Sequence, residues 1–241
     1  AQASGFQLKE NSVKAMGRAF AGSGVATGDA SVVVNNPAPM TQFEGSTIQS
    51  DITVIDLNAE FDGQGFAGVG LGPLSAPLSG GNGGDIGKPT PVPAMSFIHK
   101  LDNGLAIGAM VSAPFGLATE YDNGWVGRYS STKSEVKTVD LTLSVAYEIV
   151  PDRFSVGASF IYERAQATLE NSIDFGTLGL GASLPGFRPQ SADGSVSVEG
   201  DDTGIGYILG VNFRPTDKLA MGLSSRSEID QDLEGTANFT V

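Results

Sequence analysis

The chain has 241 residues with no cysteine, one histidine and 33 glycines, and its formal net charge is −13. The absence of cysteine excludes disulfide scaffolds and thiolate metal sites, and the single histidine, His99, excludes an imidazole cluster. The acidic balance disfavours nucleic-acid binding, which needs lysine and arginine to neutralise phosphates. Because 40% of the residues are hydrophobic and only 17% are charged, the chain is expected to fold despite its glycine content.

The sequence predicts no transmembrane helix. The uncharged run at residues 103–119 contains three glycines and a proline, whereas a spanning helix needs about 20 predominantly apolar residues. The N-terminus lacks a basic segment followed by an apolar one. We therefore expect a mature chain from which a signal peptide has been removed.

The first 46 residues differ from the rest of the chain. Val13, Met16, Ala19 and Phe20 have helical spacing, and glycines and prolines then divide the segment into short pieces. The segment is too short to build a hydrophobic core of its own. We predict that it packs against, or inside, a larger domain formed by residues 47–241.

Alternating hydrophobicity predicts seven β-strands in that domain. In the clearest case the odd positions from Val139 to Ile149 are apolar, and the even positions between them are polar or small. The pattern predicts strands at about 47–61, 91–100, 105–115, 138–149, 154–163, 204–213 and 219–228.

Short and long connections alternate along these strands. The short turns span 101–104, 150–153 and 214–218, and the long links span about 62–90, 117–135 and 170–203. Outer-membrane β-barrels have short periplasmic turns and long extracellular loops, and strands of about 9–11 residues cross the bilayer. On periodicity alone, a water-soluble β-sandwich with the apolar faces in its core is the alternative.

The predicted number of strands is odd. Single-chain bacterial barrels have an even number, and an open sheet edge in lipid would leave backbone groups without hydrogen bonds. We therefore expect this sequence to be part of a longer barrel or to pair with other chains.

Several runs of residues together form a recognisable pattern. The first group is residues 4–8, 17–26 and 29–30, followed by Asn36, Pro37 and Ala38, and further runs are 115–121, 141–147, 155–164 and 225–228. These runs resemble the FadL/TodX family of outer-membrane transporters for long-chain fatty acids and other hydrophobic compounds, and the first group is similar to the N-terminal hatch of that family. The resemblance follows the order of nearly the whole chain.

The resemblance implies an all-β fold, a 14-stranded antiparallel transmembrane β-barrel plugged by a small helical hatch. The chain would then contain the hatch (1–46) and the N-terminal half of the barrel (47–241). It implies the bacterial outer membrane, with its lipid and lipopolysaccharide, as the location. It also implies a hydrophobic small-molecule ligand, with no nucleic-acid partner and no cofactor; the oligomeric state does not follow from it.

The function implied is passive uptake of hydrophobic molecules, with capture between outer loops and sideways release into the membrane through a kinked third strand. The kink maps to Ala113, Pro114, Phe115 and Gly116. Proline removes a hydrogen-bond donor and glycine in a strand marks a bend, so these residues are compatible with a kink. They are equally compatible with the strand simply ending at Pro114.

The resemblance also implies ligand-binding residues. Phe6 matches a hatch phenylalanine that lines an interior pocket, although packing is the common role of a phenylalanine. Arg164 and Arg226 match strand ends near the lumen, where each could pair a ligand carboxylate or an acidic neighbour such as Glu163. Leu169 stands where a fatty-acid transporter carries a basic residue facing the ligand's head group, which favours a neutral ligand.

Two of the long links contain more apolar residues than solvated loops usually do. Phe115, Trp125, Tyr129 and Phe175 lie in or beside them, and exposed apolar patches mark binding surfaces. We predict that these residues bind ligand in a capture groove; the alternative is that they pack the loops against each other.

The sequence contains no recognisable set of catalytic residues. His99 lies on a predicted strand beside a short turn, and the run 82–88 lacks the first glycine and the following serine or threonine of a phosphate-binding loop. We therefore predict that the protein is not an enzyme. The alternative function is a structural or adhesive surface β-barrel that binds a partner through its hydrophobic outer loops.

Overall fold

A curled antiparallel sheet dominates the computed structural model, which describes residues 7–25 and 28–240. The helices are α1 (Val13–Met16), α2 (Val32–Asn35) and α3 (Phe175–Gly181), and two 3-10 segments span Ala38–Gln42 and Val69–Leu74. The strands are β1 (Ser46–Ile55), β2 (Phe66–Ala67), β3 (Ala76–Pro77), β4 (Thr90–Lys100), β5 (Leu105–Ser112), β6 (Gly116–Glu120), β7 (Lys133–Val150), β8 (Phe154–Asp174), β9 (Asp193–Thr216), β10 (Leu219–Arg226) and β11 (Glu234–Thr240).

The sheet has seven strand positions, as predicted. Their order is β1-β4-β5-β7-β8-β9-β10, and the pairings between neighbours are antiparallel. β6 lies beside β7 beyond the end of β5, and β11 lies beside β9 beyond the end of β10. Two of the seven strands are therefore interrupted, while β2 and β3 form a separate small hairpin.

Three strands are longer than the hydrophobic pattern predicts. β7 begins at Lys133, β8 continues to Asp174 and β9 begins at Asp193, so much of the predicted link 170–203 is sheet. These extensions are rich in polar and charged residues, such as Lys133, which lies 3.3 Å from Glu135. The alternation of apolar and polar residues is short there, as in 195–198, which is why periodicity did not reveal the strands.

The outward face of the sheet is apolar and the inward face is small or polar, which is the reverse of a water-soluble protein. On β7, Val139, Leu141, Leu143, Val145 and Tyr147 are exposed, and the intervening Thr138, Asp140, Thr142, Ser144 and Ala146 are buried. The same alternation continues on β8 and β9. An exposed apolar face over several adjacent strands is the pattern of a wall in contact with lipid, and it argues against the soluble sandwich.

The N-terminal segment, residues 7–25 and 28–45, lies against the inner face of this wall. Its Val32, Val33 and Met40 form a buried cluster with Ile98 and Met110 of the sheet. The predicted helical spacing from Val13 to Phe20 yields only the four-residue helix α1, because Ala19 and Phe20 adopt positive φ angles of 49° and 62°. Among the described residues, no helix is long and apolar enough to cross a membrane.

The Asn36, Pro37 and Ala38 motif attaches this segment to the wall. Asn36 Nδ2 donates to the carbonyl oxygen of Val211 at 3.1 Å and to that of Gly24 at 2.8 Å. Ser155 Oγ donates to the carbonyl of Ala38 at 2.8 Å. A Cβ on Gly157 would lie 2.6 Å from the backbone nitrogen of Ala38, so the close contact requires glycine at that position.

A buried carboxylate organises the first half of the segment. Asp29 accepts hydrogen bonds from Ser12 Oγ at 2.8 Å, Gln49 Nε2 at 3.0 Å, the Ser31 backbone nitrogen at 3.0 Å and Arg18 Nη2 at 3.1 Å. Burial acts to raise the pKa of Asp29, but the bonds from Ser31, Ser12 and Gln49 hold that pKa below its ordinary 3.8. The ionised form therefore stabilises the segment above about pH 3.8, and this stabilisation is lost as the pH falls below that value towards the lower folded pKa.

Replacing Asp29 with asparagine tests the role of this carboxylate. Asparagine cannot make the ion pair with Arg18, and loss of a hydrogen bond to a buried charged group costs about 1–3 kcal/mol. Hydrogen–deuterium exchange should become faster in residues 12–31 and stay unchanged in residues 32–42. Asp102→Asn changes an exposed turn residue in the same way and serves as the control; equal exchange in the two variants would contradict the prediction.

Candidate functional site

The wall has a gap where its third strand is interrupted. β5 ends at Ser112 and β6 begins at Gly116. β5 pairs with β4 as far as Met95↔Val111, whereas β6 pairs with β7 alone. Residues 90–94 of β4 consequently pair with β1 on one side, and within the part of the chain that the structure describes they have no strand partner on the other.

The N-terminal segment contacts the broken strand directly. Gln7 and Phe115 form an antiparallel bridge, and the Leu8 backbone nitrogen donates to the carbonyl of Pro114 at 2.7 Å. Phe115 also exchanges hydrogen bonds with Thr138 of β7: its nitrogen donates to Oγ1 at 3.0 Å, and its carbonyl accepts from the Thr138 nitrogen at 3.0 Å. The interruption at 113–115 is therefore a defined structure, in which backbone groups find partners outside the regular ladder.

A cavity of about 370 Å³ occupies the gap. Most of its lining is apolar and comes from the N-terminal segment and five strands or their ends: Leu8, Ile55, Leu57, Pro91, Val92, Pro93, Val111, Ala113, Phe115, Gly116, Leu117, Ala118, Val136 and Val139. Val92 and Thr138 belong to the buried inner face, whereas Val111 and Val139 belong to the exposed outer face. Leu8, which belongs to the N-terminal segment on the inner side of the wall, and the outward-facing Val111 and Val139 line the same cavity, so the cavity reaches both sides of the wall at the gap.

The charged side chains at the edge of the cavity are paired. Lys88 Nζ lies 2.7 Å from Glu120 Oε2. Lys137 Nζ lies 3.1 Å from Glu135 Oε1, and Lys133 approaches the other oxygen of Glu135 at 3.3 Å. Both lysines that line the cavity therefore have a carboxylate partner.

Arg226 lies on the inner side of the wall, among acidic side chains. Its Nη2 is 2.8 Å from Asp140 Oδ2 and 3.7 Å from Glu163 Oε2. The pairing with Glu163 considered from the sequence is thus present. A role for Arg226 in binding ligand stays a prediction.

The expectation that Arg164 lies near the lumen was wrong. Arg164 shares the outward side of β8 with Phe160 and Tyr162, and its Nη2 lies 3.2 Å from Asp201 Oδ2 of β9, with both side chains exposed. Strand alternation explains the placement, because Glu163 points inward and its neighbour must point outward.

The other predicted ligand residues fall into separate places. Phe115 lines the cavity, and Leu169 lies on the upper part of β8 opposite Val198, away from the cavity lining. Phe175 is half-buried at the start of α3. Phe6 lies outside the described residues.

Trp125 and Tyr129 hold the outer loops together. Trp125 is only 6% exposed, and its ring stacks on Tyr121 with centroids 3.7 Å apart. Tyr129 Oη donates to Asp193 Oδ1 at 2.6 Å and accepts from Arg128 Nη2 at 2.8 Å. Burial, together with the bond to Asp193, raises the pKa of Tyr129. These contacts correspond to the packing alternative considered for the loops.

Sequence reasoning missed most of the cavity lining, although one signal was available. Pro91 and Pro93 stand at alternate positions of a predicted strand, and proline cannot donate to a neighbouring strand. Two prolines spaced in this way remove donors from a single edge. That edge-strand signature predicts an incompletely paired side on β4.

Comparisons with known proteins agree with this geometry. The family model described as outer membrane protein transport protein (OMPP1/FadL/TodX) matches residues 1–241. The long-chain fatty acid transport protein of Escherichia coli O6:H1 is 28% identical over 246 residues, covering 98% of this chain and 52% of that protein. Outer membrane protein P1 of Haemophilus influenzae strain Rd is 25% identical over 252 residues, covering 96% and 55%. The chain spans about half the length of the curated relatives it matches.

Solved structures share the fold. A Pseudomonas aeruginosa FadL homologue matches with a TM-score of 0.84 at 24% identity, covering 98% of this chain and 56% of that one. The P. putida toluene transporter TodX matches with a TM-score of 0.56 at 19% identity, covering 87% and 54%. The all-β barrel fold, of which this chain is a fragment, and the outer-membrane location predicted from the sequence are confirmed. The chain belongs to the OMPP1/FadL/TodX family of outer-membrane transport proteins.

Proposed function

We propose that this chain is part of a channel for passive uptake of hydrophobic small molecules, which leave sideways into the membrane through the gap between β4 and β6. The observation that carries the proposal is the apolar cavity that reaches both sides of the wall at residues 113–116. A molecule in this cavity has access to both faces of the sheet. The relatives are named as transport proteins. Their names therefore favour transport over catalysis.

The cavity lining makes passive transfer physically reasonable. Apolar molecules partition from water into apolar surroundings without an energy source, and the exposed outer face around Val111 and Val139 is itself apolar. A ligand that passes from the cavity to lipid exchanges one apolar environment for another. The step therefore needs no metal or cofactor.

We propose a neutral ligand rather than a fatty acid anion. Lys88 and Lys137 at the cavity are each paired with a carboxylate, and Arg226 lies beside two acidic side chains. Leu169 supplies no charge. An anionic head group would have to compete with these carboxylates for a cation, whereas a neutral molecule would not.

We further propose that residues 1–46 act as a hatch. Leu8 both lines the cavity and hydrogen-bonds to Pro114, so a shift of the chain start would change the shape of the cavity. The proposal that Phe6 lines an interior pocket is compatible with this position in the chain. The adhesive alternative has weaker support, because Trp125 and Tyr129 are engaged within the loops.

Filling the cavity should slow uptake. In Ala113→Trp the large ring would occupy the gap; excluding ligand surface equivalent to two methylene groups, at about 0.8 kcal/mol each, corresponds to an approximately tenfold loss of occupancy. Uptake of radiolabelled naphthalene by intact cells expressing the native-length protein should fall by that order. Ala109→Trp places the same ring on the outer side of the same strand, outside the cavity lining. Equal uptake by the two variants would contradict the proposal that ligand passes through the gap.

Ligand charge can be tested at Lys88. In Glu120→Gln this lysine loses its carboxylate partner, and because exposed ion pairs contribute about 0.2–1 kcal/mol, binding of dodecanoate should improve by up to about fivefold. Binding of dodecanol should not change. Glu44→Gln, at an exposed position outside the cavity, is the control. Unchanged dodecanoate binding in Glu120→Gln, or dodecanoate bound more tightly than dodecanol by the unmodified protein, would count against a neutral ligand.

A further inference from the structure

A second interruption of the wall lies between β10 and β11. β10 pairs with β9 as far as Arg226↔Ile208, and β11 resumes the pairing at Glu234↔Asp201. We call the intervening residues 227–233 the inner segment. It corrects the sequence prediction of a continuous strand to residue 228.

The inner segment lies over the inner face of the wall. Its Ile229 packs on Gly204 and Gly206 of β9, and a Cβ on Gly206 would lie 2.7 Å from Ile229 Cγ1. Gln231 Nε2 donates to Glu163 Oε1 at 3.0 Å, and Glu163 points inward and is 4% exposed. The two glycines thus provide the space that the segment occupies.

Arg226 holds the start of the inner segment in place. Asp140 on β7 and Glu163 on β8 are direct cross-strand neighbours, both are buried, and like charges in such positions repel. Arg226 contacts both carboxylates, at 2.8 and 3.7 Å. The acidic pair therefore draws the guanidinium inward at the residue where β10 leaves the wall.

The inner segment and the gap lie on the same register row of the sheet. One row of paired residues runs from Ser112, the last residue of β5, through Asp140 and Glu163 to Gly204. The segment that covers Gly204 consequently faces the inner side of the wall in the row where the third strand breaks.

We infer that the inner segment is a constriction that narrows the enclosed space beside the register row in which the third strand breaks, so that the open path runs sideways, and that Arg226 is the positioning residue that holds the segment. This goes beyond the proposed uptake, because it concerns the exclusion of ions and other hydrophilic solutes. Ion leak and naphthalene uptake are separate measurements, so the constriction can be disproved without disproving the proposed uptake, and the reverse also holds.

The position of the inner segment can be measured with a cysteine placed in it, since the 241 residues contain none; any cysteine elsewhere in the native-length protein is first replaced by serine. In the native-length protein, Ile229→Cys should react slowly with a small charged methanethiosulfonate, because the side chain packs on the glycines. Adding Arg226→Gln leaves two buried carboxylates without their cation, and the labelling rate should rise by about tenfold or more. Adding Arg226→Lys restores the charge and should restore protection. Arg164→Gln, on the outer face, should have no effect.

Ion conductance in planar bilayers, without the cysteine, tests the constriction itself. Arg226→Gln should raise the conductance above that of the unmodified protein and of Arg164→Gln. Gly206→Ala displaces Ile229 without changing a charge and should have the same effect, and Gly181→Ala, whose Cβ meets nothing within 4 Å, should have none. If labelling does not change in Arg226→Gln, Arg226 does not hold the segment; if conductance does not rise in Gly206→Ala, the segment is not a constriction.

Discussion

Backbone hydrogen bonding in an apolar environment is the constraint on which this structure depends. In lipid the N–H and C=O groups of the wall need partners, and at the two interruptions of the sheet several backbone groups find them outside the regular ladder. Phe115 is satisfied by Thr138, and Pro114 by Leu8. In the inner segment, the Ser227 nitrogen donates to the Tyr207 carbonyl, and the Asp232 nitrogen to Asp202 Oδ2. Strand breaks can exist in such a wall because these substitutes are present.

The attachment of the N-terminal segment combines two kinds of polar contact. Its second half is held by neutral groups, as where Ser144 Oγ and Ser155 Oγ donate to backbone carbonyls. Its first half depends on the ionised Asp29 and its ion pair with Arg18. Hydroxyl contacts respond little to pH or salt, whereas an ion pair responds to both. One half of the segment is therefore a fixed anchor and the other can be released.

Much of the wall could be predicted from the sequence, because the side-chain period of a strand is two and the apolar residues follow it. Val139 to Tyr147 faced the direction that the pattern predicts. The same rule would have placed Arg164 outward with Tyr162, so that error lay in relying on resemblance over alternation. The polar extension of β7 from Lys133 and the inward path of Ile229 depend on partners distant in the chain. No local pattern indicates them.

The length of the central strands has a consequence for the cell surface. β9 contains 24 residues, about 80 Å of strand at about 3.3 Å per residue. At a tilt near 45° this corresponds to a height of about 55 Å, roughly twice the ~25 Å apolar band of a barrel. The upper parts of β8 and β9, with the loops packed around Trp125 and Tyr129, therefore extend well beyond the apolar band and form a folded surface outside the hydrocarbon layer.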